Sequence, residues 1–194
     1  MAGTQLAPAQ LKLTPREKLL LIAAGFLAPI AASIAAYVFL RPEPTGNYGE
    51  LLLPPAQVTS HELMRADGTP FRFAELRERW VLVASDSGAC PPACQAKLLL
   101  MRQARLALGR DASRVARVIV VDDAVAPQGA AFEPSADLVV AMRPAAPAPG
   151  AGNDRGHIYL VDPHGNVMMR WPADADFRRL LKDLQTLLKA SQIG

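Results

Sequence analysis

Both cysteines of the 194-residue chain, Cys90 and Cys94, lie four positions apart, shortly after the apolar run 80–84. The segment that follows, 95–108, places leucines and a methionine at helical spacing, so we predict a strand, a tight turn and a helix that begins at or near Cys90. Proline is tolerated in the first turn of a helix, and two prolines stand between the cysteines. Residues four apart share a helix face, so the two sulfur atoms can approach each other at the positive end of the helix dipole, where the pKa of a thiol falls. Such a pair suits redox chemistry or the binding of a soft metal ion.

The spacing of the cysteines leaves their chemistry open. Two neighbouring cysteines in a whole chain make no disulfide framework, so they indicate one local site. Three intervening residues favour metal ligation or a slow redox couple over the chemistry of the shorter CxxC motif. In an oxidising compartment the pair is expected to rest as a disulfide unless it is reduced or metallated. The alternative is a pair of buried structural thiols.

Imidazole is a common partner of thiolates in metal sites, and the chain has three histidines. His157 begins a predicted strand, where it is either a metal ligand or a hydrogen-bonded residue at the strand end. His164 lies in a predicted turn and is expected to be solvated, and the same holds for His61. Asp86 precedes the cysteines and is expected to be a solvated cap, with a proton relay as the alternative.

The charge of the chain argues against a nucleic-acid partner. The net charge is +3, the basic residues are scattered, and only 6% of the residues are aromatic. Three basic residues lie on the predicted cysteine helix: Lys97, Arg102 and Arg105. They are expected to form a solvated face, and the alternative is a docking patch for a partner with an acidic surface.

Residues 19–40 form an uncharged apolar run, long enough for a helix that crosses a bilayer. Pro29 in its middle is compatible with a membrane helix. We favour a retained anchor over a cleaved signal peptide, because the run is longer than a signal core and no small-residue cleavage site ends it. Residues 1–18 carry more basic than acidic side chains and are expected to form a cytoplasmic tail. The rest of the chain then lies outside the cytoplasm.

The remaining residues predict a linker at 41–56 and one domain at 57–194. An Asp-Gly pair flanked by short strand-like runs predicts a hairpin, and a second buried strand at 114–123 follows the cysteine helix. Residues 132–142 are predicted to contain a short helix or strand, followed by a proline-rich surface loop. The predicted domain closes with a hairpin of two strands, 157–162 and 167–171, and an amphipathic helix from about Asp174. A parallel strand–helix–strand half followed by a hairpin and a helix is the thioredoxin order. We therefore predict an α/β, thioredoxin-like fold, a mixed sheet with flanking helices, preceded by one transmembrane helix.

From His61 to the C-terminus the chain resembles Sco-type copper chaperones, membrane-anchored thioredoxin-fold proteins of cytochrome c oxidase assembly. The matching residues are the Asp67-Gly68 turn, Cys90-Pro91-x-x-Cys94, Val120-Val121-Asp122 followed by Pro127, and Tyr159-Leu160-Val161-Asp162-Pro163-x-Gly165. The sequence departs from the family at Gln95, where a proline often follows the second cysteine. It departs again at Asp154, which occupies the position of the family's distal histidine, and the nearest histidine is His157.

The resemblance implies that Cys90, Cys94 and His157 bind Cu(I) and pass it to the copper-site subunit of a cytochrome c oxidase. Other assembly factors are further implied partners. The implied location is the inner membrane of a bacterium, crossed once, with the N-terminus in the cytoplasm and the domain in the periplasm.

Two other functions remain open. In a periplasmic thiol-disulfide oxidoreductase that acts on oxidase-subunit cysteines, Cys90 would attack the target disulfide and Cys94 would resolve the mixed disulfide. In a non-catalytic, membrane-tethered scaffold of the respiratory complex, the cysteines would form a structural disulfide. The metallochaperone is favoured over the oxidoreductase.

Overall fold

The computed structural model describes residues 14–39, 46–58, 63–133, 135–143 and 154–191. The chain divides into two compact units, Met1–Gly46 and Asn47–Gly194. Several sequence predictions fall wholly or partly outside the described residues, among them most of the tail at 1–18, the first part of the linker at 41–56, His61 and the proline-rich loop.

The first unit contains helix α1, Pro15–Phe39. Its segment Pro15–Ala36 is long and apolar enough to cross a membrane, which confirms the prediction of an N-terminal candidate transmembrane helix. The helix begins earlier than the apolar run because Thr14 and Glu17 form a reciprocal cap. The Thr14 amide donates to Glu17 Oε2 at 2.7 Å, and the Glu17 amide donates to Thr14 Oγ1 at 3.4 Å.

The second unit is built on one mixed sheet with the strand order β1-β8-β7-β4-β5-β6-β2-β3. The strands are β1 Glu50–Gln57, β2 Leu63–Arg65, β3 Pro70–Phe71, β4 Trp80–Asp86, β5 Val115–Val121, β6 Leu138–Met142, β7 His157–Val161 and β8 Asn166–Pro172. Strands β4, β5 and β6 are parallel, and the pairs β4–β7, β7–β8, β1–β8, β2–β3 and β2–β6 are antiparallel. The predicted mixed sheet is confirmed.

Strands β4 and β5 lie in the middle of the sheet, and every residue of both is buried. Trp80, Leu82 and Ala84 face one hydrophobic core, while Val81 and Val83 face the other. Helix α2, Pro92–Ala107, and helix α3, Phe177–Ala190, pack on the first of these faces. Strand β4 ends at Asp86, and the loop that carries the cysteines follows directly.

The second unit begins at Asn47, before the end of the expected linker. Strand β1 pairs antiparallel with β8, placing Leu51 opposite Met169. The prolines that suggested a linker are tolerated because β1 lies at the edge of the sheet, where one side of a strand needs no donor. A buried carboxylate on α3, Asp183, accepts hydrogen bonds from the backbone amides of Tyr48 and Gly49 at 3.2 and 2.8 Å.

The segment 132–142 contains a strand, one of the two predicted possibilities. This strand is β6, which adds a third parallel strand beside β5, and a short 3-10 helix, Ala130–Phe132, ends where the segment begins. The Asp-Gly hairpin is present as β2 and β3, and the C-terminal hairpin is present as β7 and β8.

Candidate functional site

Cys90 and Cys94 form a disulfide across the turn between β4 and α2, with their Cα atoms 5.1 Å apart. The prediction that the two sulfur atoms meet is confirmed, but the expected route is wrong. Helix α2 begins at Pro92, after an extended Pro91, so Cys90 lies outside it. Cys90 has a φ of +40°, a left-handed conformation that costs a residue other than glycine about 1–3 kcal/mol. The turn therefore stores strain at one of the two sulfur-bearing residues.

The disulfide is buried. Cys90 retains 2% of its surface and Cys94 none, and both belong to the core beneath α2. The residues beside them, Ala89, Pro91 and Ala93, are exposed. The sulfur atoms thus lie one layer below the surface of the turn.

Gly88 fixes the cysteine turn against the segment that follows β5. Its amide donates to Asp123 Oδ1 at 3.1 Å, and its carbonyl accepts from the Gln128 amide at 3.1 Å. A Cβ atom at Gly88 would lie 1.9 Å from the carbonyl oxygen of Val125, so only glycine fits here. The Ser87 hydroxyl, followed by the Gly88 amide, holds the pKa of Asp123 below its usual value against the effect of burial.

Lys97 was expected on a solvated face, but its side chain is 1% exposed. It lies three residues after Cys94 and on the same inward side of α2, a spacing that could have revealed its burial. Its Nζ pairs with Asp86 Oδ2 at 2.7 Å and donates to the carbonyls of Ser85 at 2.8 Å and Arg155 at 2.9 Å. Asp86 is accordingly a buried ion-pair partner and not the solvated cap that we expected.

Arg155, which sequence reasoning missed, joins the segment before β7 to the end of β5. Its guanidinium donates from Nε to both carboxylate oxygens of Asp122 at 3.1 Å and lies 3.4 Å from Asp123. Hydrogen bonding to Asp122 raises the pKa of Arg155. With its carbonyl held by Lys97, this residue is fixed at both ends.

His157 lies at the start of β7, with its side chain 31% exposed and its Nδ1 hydrogen-bonded to Asp154 Oδ2. The Tyr159 hydroxyl donates to the same oxygen at 3.2 Å, and the Gly156 amide donates to Oδ1 at 2.8 Å. Burial alone would raise the pKa of Asp154, but the hydrogen bonds from Gly156 and His157 outweigh it and keep the pKa below its usual value. Asp154 thus accepts hydrogen bonds as a carboxylate, and Nδ1 is the ring nitrogen of His157 that faces it.

The structure brings the two cysteines together and holds His157 in a separate hydrogen-bonded group. Among the residues that the structure describes, no three His, Cys, Asp or Glu side chains cluster in a way that could hold a metal ion. His164 is exposed in the β7–β8 turn, as expected, and its backbone amide donates to Asp162 Oδ1 at 2.9 Å.

Residues 80–191 match the family model described as the transmembrane-like, thioredoxin-like C-terminal domain. The chain belongs to that family. No curated protein matches the sequence significantly.

Solved structures of Sco proteins share the fold. Apo Sco1 from Thermus thermophilus is 20% identical, with a TM-score of 0.55 over 73% of this chain and 96% of that one. Yeast Sco1 with copper bound is 13% identical, with a TM-score of 0.54 over 75% and 90% of the two chains. BsSco is described as a member of the Sco family of cytochrome c oxidase assembly proteins with a disulfide switch. It is 14% identical, with a TM-score of 0.51 over 78% and 99%. The expected resemblance to Sco proteins is confirmed for the fold.

Proposed function

We propose that the protein is a membrane-anchored assembly factor that matures the copper site of a cytochrome c oxidase, with Cys90 and Cys94 as its working group. The observation that carries this proposal is the Cys90–Cys94 disulfide at the carboxyl end of β4, in a fold shared with Sco proteins that bind copper or are described as oxidase assembly proteins. The candidate membrane helix and the basic excess of the N-terminal tail support a single-pass protein of the bacterial inner membrane, with its domain in the periplasm.

Thiol-disulfide exchange is the chemistry that the geometry favours, because two sulfur atoms are in bonding contact while no third ligand is grouped with them among the described residues. In the reduced protein the Cys90 thiolate attacks one sulfur of a disulfide in the oxidase subunit, forms a mixed disulfide and releases one target thiolate. Cys94 then attacks the Cys90 sulfur and releases the second target thiolate. The target gains two electrons and two copper-binding thiols, and a periplasmic dithiol reductant returns Cys90 and Cys94 to the reduced form.

Exchange requires the turn to move, because Cys90 retains only 2% of its surface. The strained φ of Cys90 favours such a movement, since an outward displacement of the residue can relieve a conformation that costs about 1–3 kcal/mol. The residues on either side of Cys90, Ala89 and Pro91, are exposed, so the cysteine lies close to the protein surface.

Delivery of Cu(I) is the second candidate, with Cys90, Cys94 and His157 as the proposed ligands of the ion as cargo. The observation that favours it is the carboxylate of Asp154 on Nδ1 of His157. Histidines that bind metals almost always donate their other ring N–H to such a partner, which fixes the tautomer and leaves Nε2 for the ion. Two thiolates and one imidazole suit a soft monovalent cation.

One set of variants separates these functions. The full chain in detergent micelles is reduced, freed of reductant and tested for exchange with glutathione disulfide and for Cu(I) stoichiometry against a chromogenic chelator. Exchange is expected for the wild type and is lost in Cys90→Ser. If Cu(I) is cargo, His157→Ala lowers the affinity for Cu(I), while His164→Ala, a matched change at an exposed histidine, leaves it unchanged. A wild-type protein that neither exchanges nor binds Cu(I) contradicts both candidates and leaves the scaffold with a structural disulfide.

A further inference from the structure

A groove runs along helix α2 from the cysteine turn toward the C-terminal end of the helix. One wall is a face of α2 that begins at Gln95, and the other is formed by residues 130–133 and 135–138, which connect β5 to β6. The cavity volume is about 480 Å³, enough for several side chains of a bound segment. We call it the α2 groove.

The α2 groove begins at Gln95, next to the cysteine turn. Gln95 follows Cys94 directly, and its side-chain Nε2 donates to the Cys90 carbonyl at 3.1 Å. From Gln95 to Leu106 the helix rises about 17 Å, at about 1.5 Å per residue. An extended segment of about five residues covers that length, at about 3.3 Å per residue. A segment in the groove would thus have one end beside the residue that we propose as the attacking cysteine.

The wall of the groove formed by α2 carries two large apolar side chains that the fold leaves in solvent. Leu99 is 52% exposed and Leu106 is 59% exposed. They lie seven residues apart, two helical turns, and therefore on one stripe of the helix. The inward residues of the same helix, Leu98 and Met101, are buried in the core. Two exposed leucines on one line of the groove wall offer two apolar contacts to a bound segment.

Arg102 lies between the two leucines on this stripe and is exposed. It makes no ion pair within the described part of the chain. Two further arginines of the groove, Arg105 and Arg117, share the single carboxylate of Asp137, with Nε–Oδ2 distances of 3.4 and 2.6 Å. One exposed acid, Glu133, completes the charged lining, so the groove holds three guanidinium groups and two carboxylates. The excess positive charge is centred where Arg102 is exposed between two apolar contacts.

We propose that the α2 groove binds an extended acidic and apolar segment of the target protein, next to the cysteine with which Cys90 exchanges. Two apolar side chains of the segment contact Leu99 and Leu106, and a carboxylate between them pairs with Arg102. The proposal rests on the thiol-disulfide exchange proposed above and adds the chemistry by which its protein substrate is recognised.

Two peptide disulfides test the proposal. Each peptide has one cysteine capped as a mixed disulfide with glutathione, followed by Leu-Ser-Glu-Ser-Leu in one probe and by Leu-Ser-Lys-Ser-Leu in the other, because alternate residues of an extended segment face the same side. The reduced full chain in micelles is mixed with each probe, and the second-order rate of glutathione release is measured in low salt. We expect the Glu probe to react about fivefold faster, because an exposed ion pair contributes up to about 1 kcal/mol. This preference should shrink when salt screens the pair.

Substitution at Arg102 provides the decisive comparison. Arg102→Glu should reverse the preference between the two probes, when each rate is divided by the rate of the same variant with plain glutathione disulfide. Arg110→Glu makes the same change of charge at an exposed arginine outside the lining and should keep the wild-type preference. If Arg102→Glu does not fold, Arg102→Gln and the salt dependence of the wild type test the same ion pair.

Failure of this proposal differs from failure of the exchange function. A wild-type protein that reacts with glutathione disulfide but treats the Glu and Lys probes alike overturns the groove and leaves the exchange function intact. Equal loss of preference in Arg102→Glu and Arg110→Glu also overturns it, because the effect would then come from overall charge. No reaction of the wild type with any disulfide removes the exchange function itself.

Discussion

Reduction of the Cys90–Cys94 disulfide should weaken the domain by only about 2 kcal/mol. The bond closes a loop of five residues, since the cysteines are separated by four positions. The chain-entropy relation for a cross-link of that size gives a loss of about 7 cal/mol/K in the unfolded state, which is about 2 kcal/mol at 25 °C. A pair that cycles between thiol and disulfide needs a fold that survives this loss.

The two tryptophans allow the effect to be measured in the full chain. Trp80 and Trp171 are the only tryptophans of the protein, and both are buried in the second unit, so their fluorescence reports on that unit alone. For a unit of this size, about 2 kcal/mol corresponds to a fall in the midpoint of thermal unfolding of about 4–8 °C. The measurement is made in micelles with and without a phosphine reductant. The double variant Cys90→Ser, Cys94→Ser serves as the control and should not respond to the reductant.

The size of the loss in unfolding free energy decides between a redox-active and a structural disulfide. A reduced protein that stays folded and unfolds cooperatively, with a modest fall in stability, supports a redox-active pair. Unfolding at 25 °C upon reduction, or a loss above about 4 kcal/mol, would refute the reasoning, because the bond would then be needed to hold the fold together.

Three further changes test close packing and buried polar contacts in the second unit. Gly88→Ala should lower the unfolding free energy by about 2 kcal/mol or more and slow exchange with glutathione disulfide, because the added Cβ would lie 1.9 Å from the Val125 carbonyl oxygen. Stability equal to the wild type would contradict the close packing. Asp183→Ala should cost about 3 kcal/mol by urea unfolding, because the buried carboxylate accepts from Trp171 Nε1 at 3.0 Å and from two backbone amides, and Asp183→Asn should cost less. Asp137→Asn should cost about 2 kcal/mol at pH 7. The folded-state pKa of Asp137 is lowered despite burial. The loss of stability in Asp137→Asn should therefore be complete above the ordinary carboxyl pKa of 3.8 and vanish as the pH falls through the lower folded pKa. A loss that is independent of pH would count against the ion pair.

The parts of the fold that follow from local patterns were predictable from the sequence. Strands β4 and β5 are apolar runs buried on both faces, and α3 carries a clear apolar stripe, so the local sequence pattern predicts both types of element. Strand β1 does not, because two prolines lie within it and only its pairing with β8 makes it a strand. Long-range pairing of this kind has no signature in the segment itself.

The candidate site was predicted in part. The meeting of Cys90 and Cys94 follows from their spacing, but the left-handed turn that achieves it depends on Gly88 packing against the segment after β5. The burial of Lys97 could have been inferred from its position three residues after Cys94. The Arg155 carbonyl could not be predicted as its partner, since Arg155 lies 58 positions further along the chain.

The measurement that tests the central claim most directly is the copper content of cytochrome c oxidase purified from cells that lack the protein and are complemented with variants. Cells that express the wild-type chain should yield oxidase with a full copper site. Cells that express Cys90→Ser, Cys94→Ser at the same level should yield oxidase that lacks copper at that site. A normal copper content with the double variant would contradict the account, because the sulfur pair would then have no part in the assembly of the oxidase.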